Sequence, residues 1–139
     1  MRVVLDTNVL VSALLKPHGN PAKILRLILQ GDIEIVTNEH IFTEYIDVLR
    51  RPRFSLNMDN VQVVMDYLRS VGINAPTLCE SFSLPDIDDE PFLEAALSGK
   101  AEVLITGNKR HFPKSACKKQ KVLSPSEFLG ELSKMKVYE

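Results

Sequence analysis

Residues 1–15 read MRVVLDTNVLVSALL and contain the first clear pattern in the chain. Arg2 to Leu5 form a short, mostly β-branched apolar run, which is typical of a strand that is buried on both faces. The run ends in Asp6-Thr7-Asn8, and the apolar residues from Val9 to Leu15 then indicate a short helix. Because ligands of α/β sheets bind just outside the carboxyl ends of the strands, Asp6 is predicted to lie at a binding edge.

The rest of the chain alternates between predicted helices and strands, which is typical of a parallel, doubly wound sheet. Asn20 is the expected cap of the helix that ends at Gly31, and Asn38 the expected cap of the helix that runs to about Arg50. Further helices are predicted at 59–71, 92–97 and 125 to about 134. Strands are predicted at 33–37, at 73–78 with a break around Pro76, at 102–106 and at 122–123.

Length and composition indicate one α/β domain over residues 1–139 with a real core, since the chain has 139 residues and 45% hydrophobic content. Its 17 Lys plus Arg and 18 Asp plus Glu nearly balance, so overall charge identifies no partner. Cys79 and Cys117 belong to no CxxC pair, which argues against a disulfide framework or zinc site and favours the cytosol. Asp6 interrupts the chain before a signal peptide could form, and no apolar run approaches membrane-spanning length.

Two further groups of acids lie where an unpaired carboxylate would be unfavourable. Glu44 is three residues after Ile41 and four before Val48, on the inward stripe of its predicted helix. Four acids fall within positions 86–90 and open the next helix: Asp86, Asp88, Asp89 and Glu90. If these acids meet Asp6 at the sheet edge, a cation must neutralise them, and oxygen ligands favour Mg²⁺ or Mn²⁺ over zinc. Such a site activates water and stabilises a phosphoryl group.

Each acid also has a structural alternative. Asp6 is suited to capping the helix that follows it. Glu44 could lean out from its helix and reach solvent. Asp86 or Asp88 could cap the helix after them, because acids in a first turn are favoured by the helix dipole. The conjunction of all three groups favours the cation site.

Polar residues that follow two predicted strands are expected to support the site. Thr7 and Asn8 either orient Asp6 and a bound water or cap the short helix. Thr106 and Asn108 end another strand and either approach the same edge or serve only its turn.

A basic segment follows Asn108. Lys109, Arg110 and His111 open it, and further lysines stand at 114, 118, 119 and 121. These residues either steer a polyanion such as RNA or form a solvated basic face, with His111 an ordinary surface histidine. The aromatic content of 6% gives little support for base stacking.

Four stretches, in this order, resemble the PIN domain family, in particular the VapC-like toxins of toxin–antitoxin systems. They are Val3–Asn8, Glu44 with 48–52, Asp86–Leu93 and Leu104–Phe112. The resemblance covers nearly the whole chain. It implies a three-layer α/β sandwich whose parallel, doubly wound sheet has about four to five strands.

The resemblance places the family's first acid on Asp6 and its second on Glu44. Counting back from the stretch that contains Asn108 puts the third acid on Glu90, whereas the DxDD pattern puts it on Asp89, and both stay open. The family's fourth position is often an aspartate. Asn108 stands there in this chain, which is compatible with a single metal ion.

The activity implied by the resemblance is that of a cytoplasmic endoribonuclease that depends on Mg²⁺ or Mn²⁺. Asp6, Glu44 and Asp89 or Glu90 would hold the metal, while Thr7, Asn8 and Asn108 would position water or phosphate. The implied partners are an RNA substrate, a protein antitoxin and a second copy of the chain in a homodimer, with no membrane. The basic segment after Asn108 would bind the RNA backbone.

Two other function classes are considered. A haloacid-dehalogenase-like phosphatase also begins with a strand that ends in Asp, but its mechanism needs a second Asp at the position of Asn8. A catalytically silent PIN-like module that binds RNA or protein is the alternative to the nuclease, and Asn108 gives it some support.

Overall fold

A parallel sheet lies at the centre of the computed structural model, which describes residues 1–78, 81–117 and 119–137. Within these residues the sheet has five strands: β1 Arg2–Leu5, β2 Glu34–Thr37, β3 Ile73–Asn74, β4 Val103–Ile105 and β5 Val122–Leu123. Their order across the sheet is β3-β2-β1-β4-β5, and all neighbours pair in parallel.

Helices cover both faces of this sheet: α1 Thr7–Leu15, α2 Asn20–Leu29, α3 Glu39–Leu49, α4 Met58–Val71, α5 Glu90–Ser98, α6 Lys114–Cys117 and α7 Pro125–Val137. Helix α2 packs against α1 and α7, and α3 packs against α4 and α5. Helix α5 also contacts β1, β2 and β4. The predicted α/β sandwich with a parallel, doubly wound sheet is confirmed.

The two central strands, β1 and β4, consist of fully buried apolar side chains from Val3 to Leu5 and at Leu104 and Ile105. The chain moves outward from β1 to β2 and β3, then returns to place β4 on the other side of β1. Leu5 pairs with Ile105, and the Asp6 amide donates to the Ile105 carbonyl at 2.9 Å. The residues that follow these strands therefore lie side by side at the switch point, where α/β sheets bind ligands.

Three boundaries differ from the predictions. Strand β3 covers only Ile73–Asn74 of the predicted 73–78 and ends before Pro76, where the break was predicted, because proline has no amide hydrogen to continue the ladder. Gly19, with extended backbone, caps α2, so that Asn20 and Pro21 lie inside its first turn. Helix α5 begins at Glu90, two residues before the predicted start.

Several short elements were not predicted. They are helix α6 and the 3₁₀ helices Pro52–Phe54, Ile87–Asp89 and Lys109–His111. Cys117 is a buried free thiol, whereas Cys79 and Lys118 lie outside the described residues. None of the helices in the described part of the chain is both long and apolar enough to cross a membrane.

Candidate active site

Asp6 lies at the carboxyl edge of the sheet, directly after β1, and is only 7% exposed. Its Oδ1 accepts from the Thr7 amide at 2.8 Å, which is the helix-capping contact. Its Oδ2 accepts from the Thr106 hydroxyl at 2.8 Å, across the crevice between β1 and β4. Burial raises the pKa of Asp6, and these two hydrogen bonds partly offset the rise. Capping thus accounts for one carboxylate oxygen, and the second belongs to a contact between two strand ends.

Glu44 reaches the same edge from helix α3. It is half-buried, and its Oε2 accepts a hydrogen bond from the Thr7 hydroxyl, so that Thr7 links the second acid to the first. Burial raises the pKa of Glu44, the Thr7 hydroxyl offsets part of the rise, and the charge of Asp6 raises the pKa further. The inward placement predicted from the helical stripe therefore brings Glu44 into the electrostatic field of Asp6.

Tyr45 holds α3 in this position, a role that the sequence analysis did not assign. Its buried hydroxyl donates to the Leu5 carbonyl at 2.6 Å, one residue before Asp6. Burial and the neighbouring Asp6 and Glu44 charges raise the pKa of Tyr45 well above its usual value, so the hydroxyl stays a donor. A tyrosine on the apolar stripe beside an inward acid is the sequence signal that was available.

Asp89 approaches from the 3₁₀ helix before α5 and is 9% exposed. Burial and the charge of Asp6 raise its pKa to about 6, with further contributions from Asp86 and Glu44 in the same direction and from His111 against them. Among the described residues, no donor makes a hydrogen bond to its buried Oδ2. Asp89 stands at the N-cap position of α5 but makes no capping hydrogen bond there.

The other acids of the 86–90 cluster have local partners. Glu90 is half-buried, and its Oε1 accepts from the Phe82 amide at 3.1 Å, in the loop before the helix. Asp86 accepts from the Asp88 amide at 2.9 Å and so caps the 3₁₀ helix Ile87–Asp89, not α5, which was the helix its structural alternative concerned. Asp88 is exposed at the rim. The structure thus brings Asp89, and not Glu90, toward Asp6 and Glu44.

The residues that follow β4 both contact Asp6 and form a turn. The Thr106 hydroxyl donates to Asp6 and accepts from the Asn108 amide at 3.1 Å. Asn108 is exposed, and its side-chain oxygen accepts from the Arg110 amide at 3.3 Å, which caps the 3₁₀ helix Lys109–His111. Asn8 is exposed on the first turn of α1.

His111 lies closer to the acids than its predicted place in a basic RNA-binding segment suggested. Its Nδ1 is 3.0 Å from Asp89 Oδ2, without the geometry of a hydrogen bond, and 41% of its side chain is exposed. Its charge also lowers the pKa of Asp6. The 3₁₀ turn that directs it inward has no pattern in the sequence.

A cleft of about 470 Å³ opens beside Glu44 along the outer face of α3. Asp88 lines it from the 3₁₀ helix, and His40 and Arg51 line it from the α3 side. Solvent therefore reaches Glu44 through a passage that holds both acidic and basic groups.

The donor set fits a hard, oxygen-seeking cation. Asp6, Glu44 and Asp89 offer carboxylate oxygens, and Asp89 Oδ2 is buried without a donor. In residues 1–78, 81–117 and 119–137, no three acidic, histidine or cysteine side chains already meet closely enough to enclose an ion. Mg²⁺ usually keeps several of its waters, so these carboxylates would hold it partly through water.

Two comparisons with known proteins show what the chain is similar to. A sequence model of the PIN domain matches residues 2–110. The chain is also 33% identical to the uncharacterised protein MJ1680 of Methanocaldococcus jannaschii, over 96% of this chain and 93% of that protein. PIN domains are in general nucleases that use divalent metals, which indicates a nuclease-type function. Because the family match ends at residue 110, one domain over 1–139 stays a prediction. The match covers the strand ends, α3 and the acidic turn that form the site, and the chain belongs to the PIN domain family.

Proposed function

We propose that this protein is a metal-dependent endoribonuclease that hydrolyses RNA phosphodiester bonds at the carboxyl edge of β1 and β4. One observation carries the proposal. Three carboxylates from distant parts of the chain converge at this edge: Thr106 holds Asp6, Thr7 holds Glu44, and Asp89 Oδ2 is buried without a hydrogen-bond donor among the described residues. Besides burial, the charge of Asp6 raises the pKa of both Glu44 and Asp89. Such mutual repulsion disfavours the ionised site unless a cation neutralises it.

In the proposed site, Asp6, Glu44 and Asp89 hold Mg²⁺ or Mn²⁺, directly or through water. The cation, when bound, polarises the phosphate and makes an attacking water more acidic. The Thr106 hydroxyl fixes Asp6, and the Thr7 hydroxyl fixes Glu44, so that both carboxylates are oriented before substrate arrives. Preorganised ligands of this kind lose little free energy to reorganisation when the charge of the transition state develops.

Groups around the acids would bind and orient the substrate. Arg51 lines the cleft beside Glu44, and Arg110 is exposed next to His111. Both cations suit contacts with the phosphates of an RNA chain. Asn8 and Asn108 are exposed near the two strand ends, where their amides can position water or phosphate.

We also propose, from the resemblance to VapC-like toxins, that the substrate is RNA and that the protein is a toxin. The same resemblance suggests a protein antitoxin, a homodimer and a cytoplasmic location. The alternative, a catalytically silent PIN-like module, is favoured by one observation: Asn108 stands at the fourth acidic position and uses its side chain to cap a turn. Calorimetric titration with Mn²⁺ separates the two, since the nuclease requires metal binding and the silent module does not.

The test of the nuclease compares the wild-type chain with Asp6→Asn on a mixed-sequence single-stranded RNA, with Mn²⁺, Mg²⁺ or EDTA. Asn keeps an oxygen for the capping contact with Thr7, so the fold should persist. The variant should lose at least about 100-fold in cleavage rate, as expected when a metal's contribution of several kcal/mol is removed. Asp32→Asn, which changes an exposed aspartate before β2, is the matched control and should cleave like the wild type. Equal cleavage by Asp6→Asn and the wild type would overturn the site assignment.

A further inference from the structure

A second cleft lies on the other side of His111, between the turn after β4 and strand β5. Its volume is about 570 Å³, within the range of about 300–1,000 Å³ that small-molecule sites occupy. Apolar groups line it from three elements: Phe112 after the 3₁₀ turn, Cys117 on α6, and Val122 and Leu123 on β5. Phe112 and Cys117 are buried beneath this surface, so it is firmly supported.

Cations surround this apolar surface. Lys109, Arg110, Lys114 and Lys121 all line the cleft, and none of its described lining residues is acidic. Lys109 pairs with Glu127 at 3.0 Å and Lys121 with Glu131 at 2.7 Å, both acids being on α7. These ion pairs are about half exposed, and exposed pairs are weak enough to exchange for another anion.

The cleft lies next to the candidate active site, and the 3₁₀ turn Lys109–His111 separates the two. His111 extends toward Asp89, while its neighbours Arg110 and Phe112 line the cleft. A polymer bound at the carboxylates would therefore have this cleft beside it, across the turn that carries His111. An apolar surface ringed by positive charge matches a nucleotide, which has a flat, weakly polar ring and an attached phosphate.

We propose that this cleft binds the nucleoside next to the cleaved phosphodiester, with its base on the apolar surface and its phosphate on the surrounding cations. That an RNA phosphodiester is cleaved nearby rests on the proposed nuclease function. That a nucleotide binds in this cleft can be tested separately. The cleft, and not the carboxylate site, then contributes to which RNA positions are cut.

The experiment is a nuclear magnetic resonance titration of the methyl- and amide-labelled chain in EDTA, so that no metal takes part. The probes are the four nucleoside 5′-monophosphates, ribose 5-phosphate and inorganic phosphate. The monophosphates should shift the Val122 and Leu123 signals and bind about five- to tenfold more tightly than ribose 5-phosphate, because base contacts worth about 1–1.4 kcal/mol correspond to that range. Equal affinities for the monophosphates and ribose 5-phosphate would overturn the inference. Signal shifts that do not include β5 would also overturn it and would favour a protein-binding role for the cleft.

Two lysine variants sharpen the result. Lys114→Ala removes one lining charge and should weaken monophosphate binding about two- to fivefold, as expected for an exposed charge contact. Lys23→Ala removes an exposed charge from α2, away from the cleft, and should leave binding unchanged. Equal affinities for the two variants would count against the proposed phosphate contact.

The outcome is separable from that of the nuclease test. If RNA is cleaved with Mn²⁺ but no monophosphate reaches the cleft, the inference falls and the nuclease stands. If monophosphates bind at β5 but no RNA is cleaved, the nucleotide site stands and the nuclease assignment falls. If both hold, Lys114→Ala should raise the KM for RNA with little change in kcat, since its charge lies away from the reacting phosphate.

Discussion

Replacing Asp89 by Asn should make the metal-free protein more stable at neutral pH. Burial and the charge of Asp6 raise the pKa of Asp89 to about 6, so its ionised form is disfavoured in the folded state. Asn has nearly the same shape and carries no charge. The variant therefore keeps the packing of the acidic turn and removes a repulsion that a bound cation would otherwise relieve.

The size of the effect follows from the difference between about 6 and the ordinary value of 3.8. At 1.36 kcal/mol for each pH unit, this difference corresponds to about 3 kcal/mol as an upper limit. Water reaches 13% of the Asp89 side chain and screens part of the repulsion. The variant also loses the attraction between Asp89 and His111. We therefore expect a gain of about 1–2 kcal/mol in the free energy of unfolding.

The sign of the pH dependence is fixed by proton linkage. The folded-state pKa of Asp89 lies above the unfolded value, so the folded chain binds more protons between about pH 4 and pH 6. The contribution of Asp89 to wild-type stability therefore falls as pH rises through this window. The advantage of the variant should be full at about pH 7.5 and nearly absent below about pH 3, where Asp89 is protonated in both states.

The assay is urea denaturation in EDTA, followed by far-ultraviolet circular dichroism, at several pH values. Asp32→Asn is the matched control and should show no such pH-dependent gain. Adding Mn²⁺ should stabilise the wild type by about 2.7 kcal/mol at 100 times its Kd and stabilise Asp89→Asn less. A variant that is less stable than the wild type in EDTA at neutral pH, or a difference that does not change with pH, would refute the reasoning.

Two further changes test the frame around the acids by the same denaturation assay. Thr106→Val should destabilise the chain by about 1–3 kcal/mol, because Asp6 loses a buried donor and the Asn108 amide loses its acceptor; a change below about 0.5 kcal/mol would show that these bonds matter little. Gly99→Ala should cost about 1–3 kcal/mol, since its new Cβ would overlap a valine of β2, whereas Gly107→Ala adds a methyl group with no neighbour within 4 Å and should be nearly neutral. Equal effects at the two glycines would contradict the steric argument.

The two central strands, and the polar residues that follow each of them, could be predicted because the sequence pattern that indicates them is local. Val3–Leu5 and Val103–Ile105 are continuous apolar runs that end in polar residues, and a parallel sheet must bring such ends to one edge. Glu44 could be placed for a similar reason, since a helical stripe fixes which face a residue occupies. These features depend on continuous apolar runs and on a period of 3.6 residues that the chain itself displays.

The choice between Asp89 and Glu90 could not be made in the same way. Successive residues around a helix start differ by about 100° in direction, so a boundary error of one residue exchanges the two side chains. Both acids suit a first turn, and the 3₁₀ helix Ile87–Asp89 that sets the phase has no distinct pattern. The approach of His111 to Asp89 depends on another such short turn, between residues that are far apart in sequence.

The charge around the candidate site bears on how many metal ions it can hold. Asp6, Glu44 and Asp89 carry three negative charges when ionised, and a single divalent cation neutralises most of them. Asn108 adds no charge, and its side chain is already engaged with the Arg110 amide. A second divalent ion would therefore lack a charged protein ligand on that side. This balance favours one metal ion in the proposed nuclease and assigns the positive charge needed for the substrate's other phosphates to side chains such as Arg51 and Arg110.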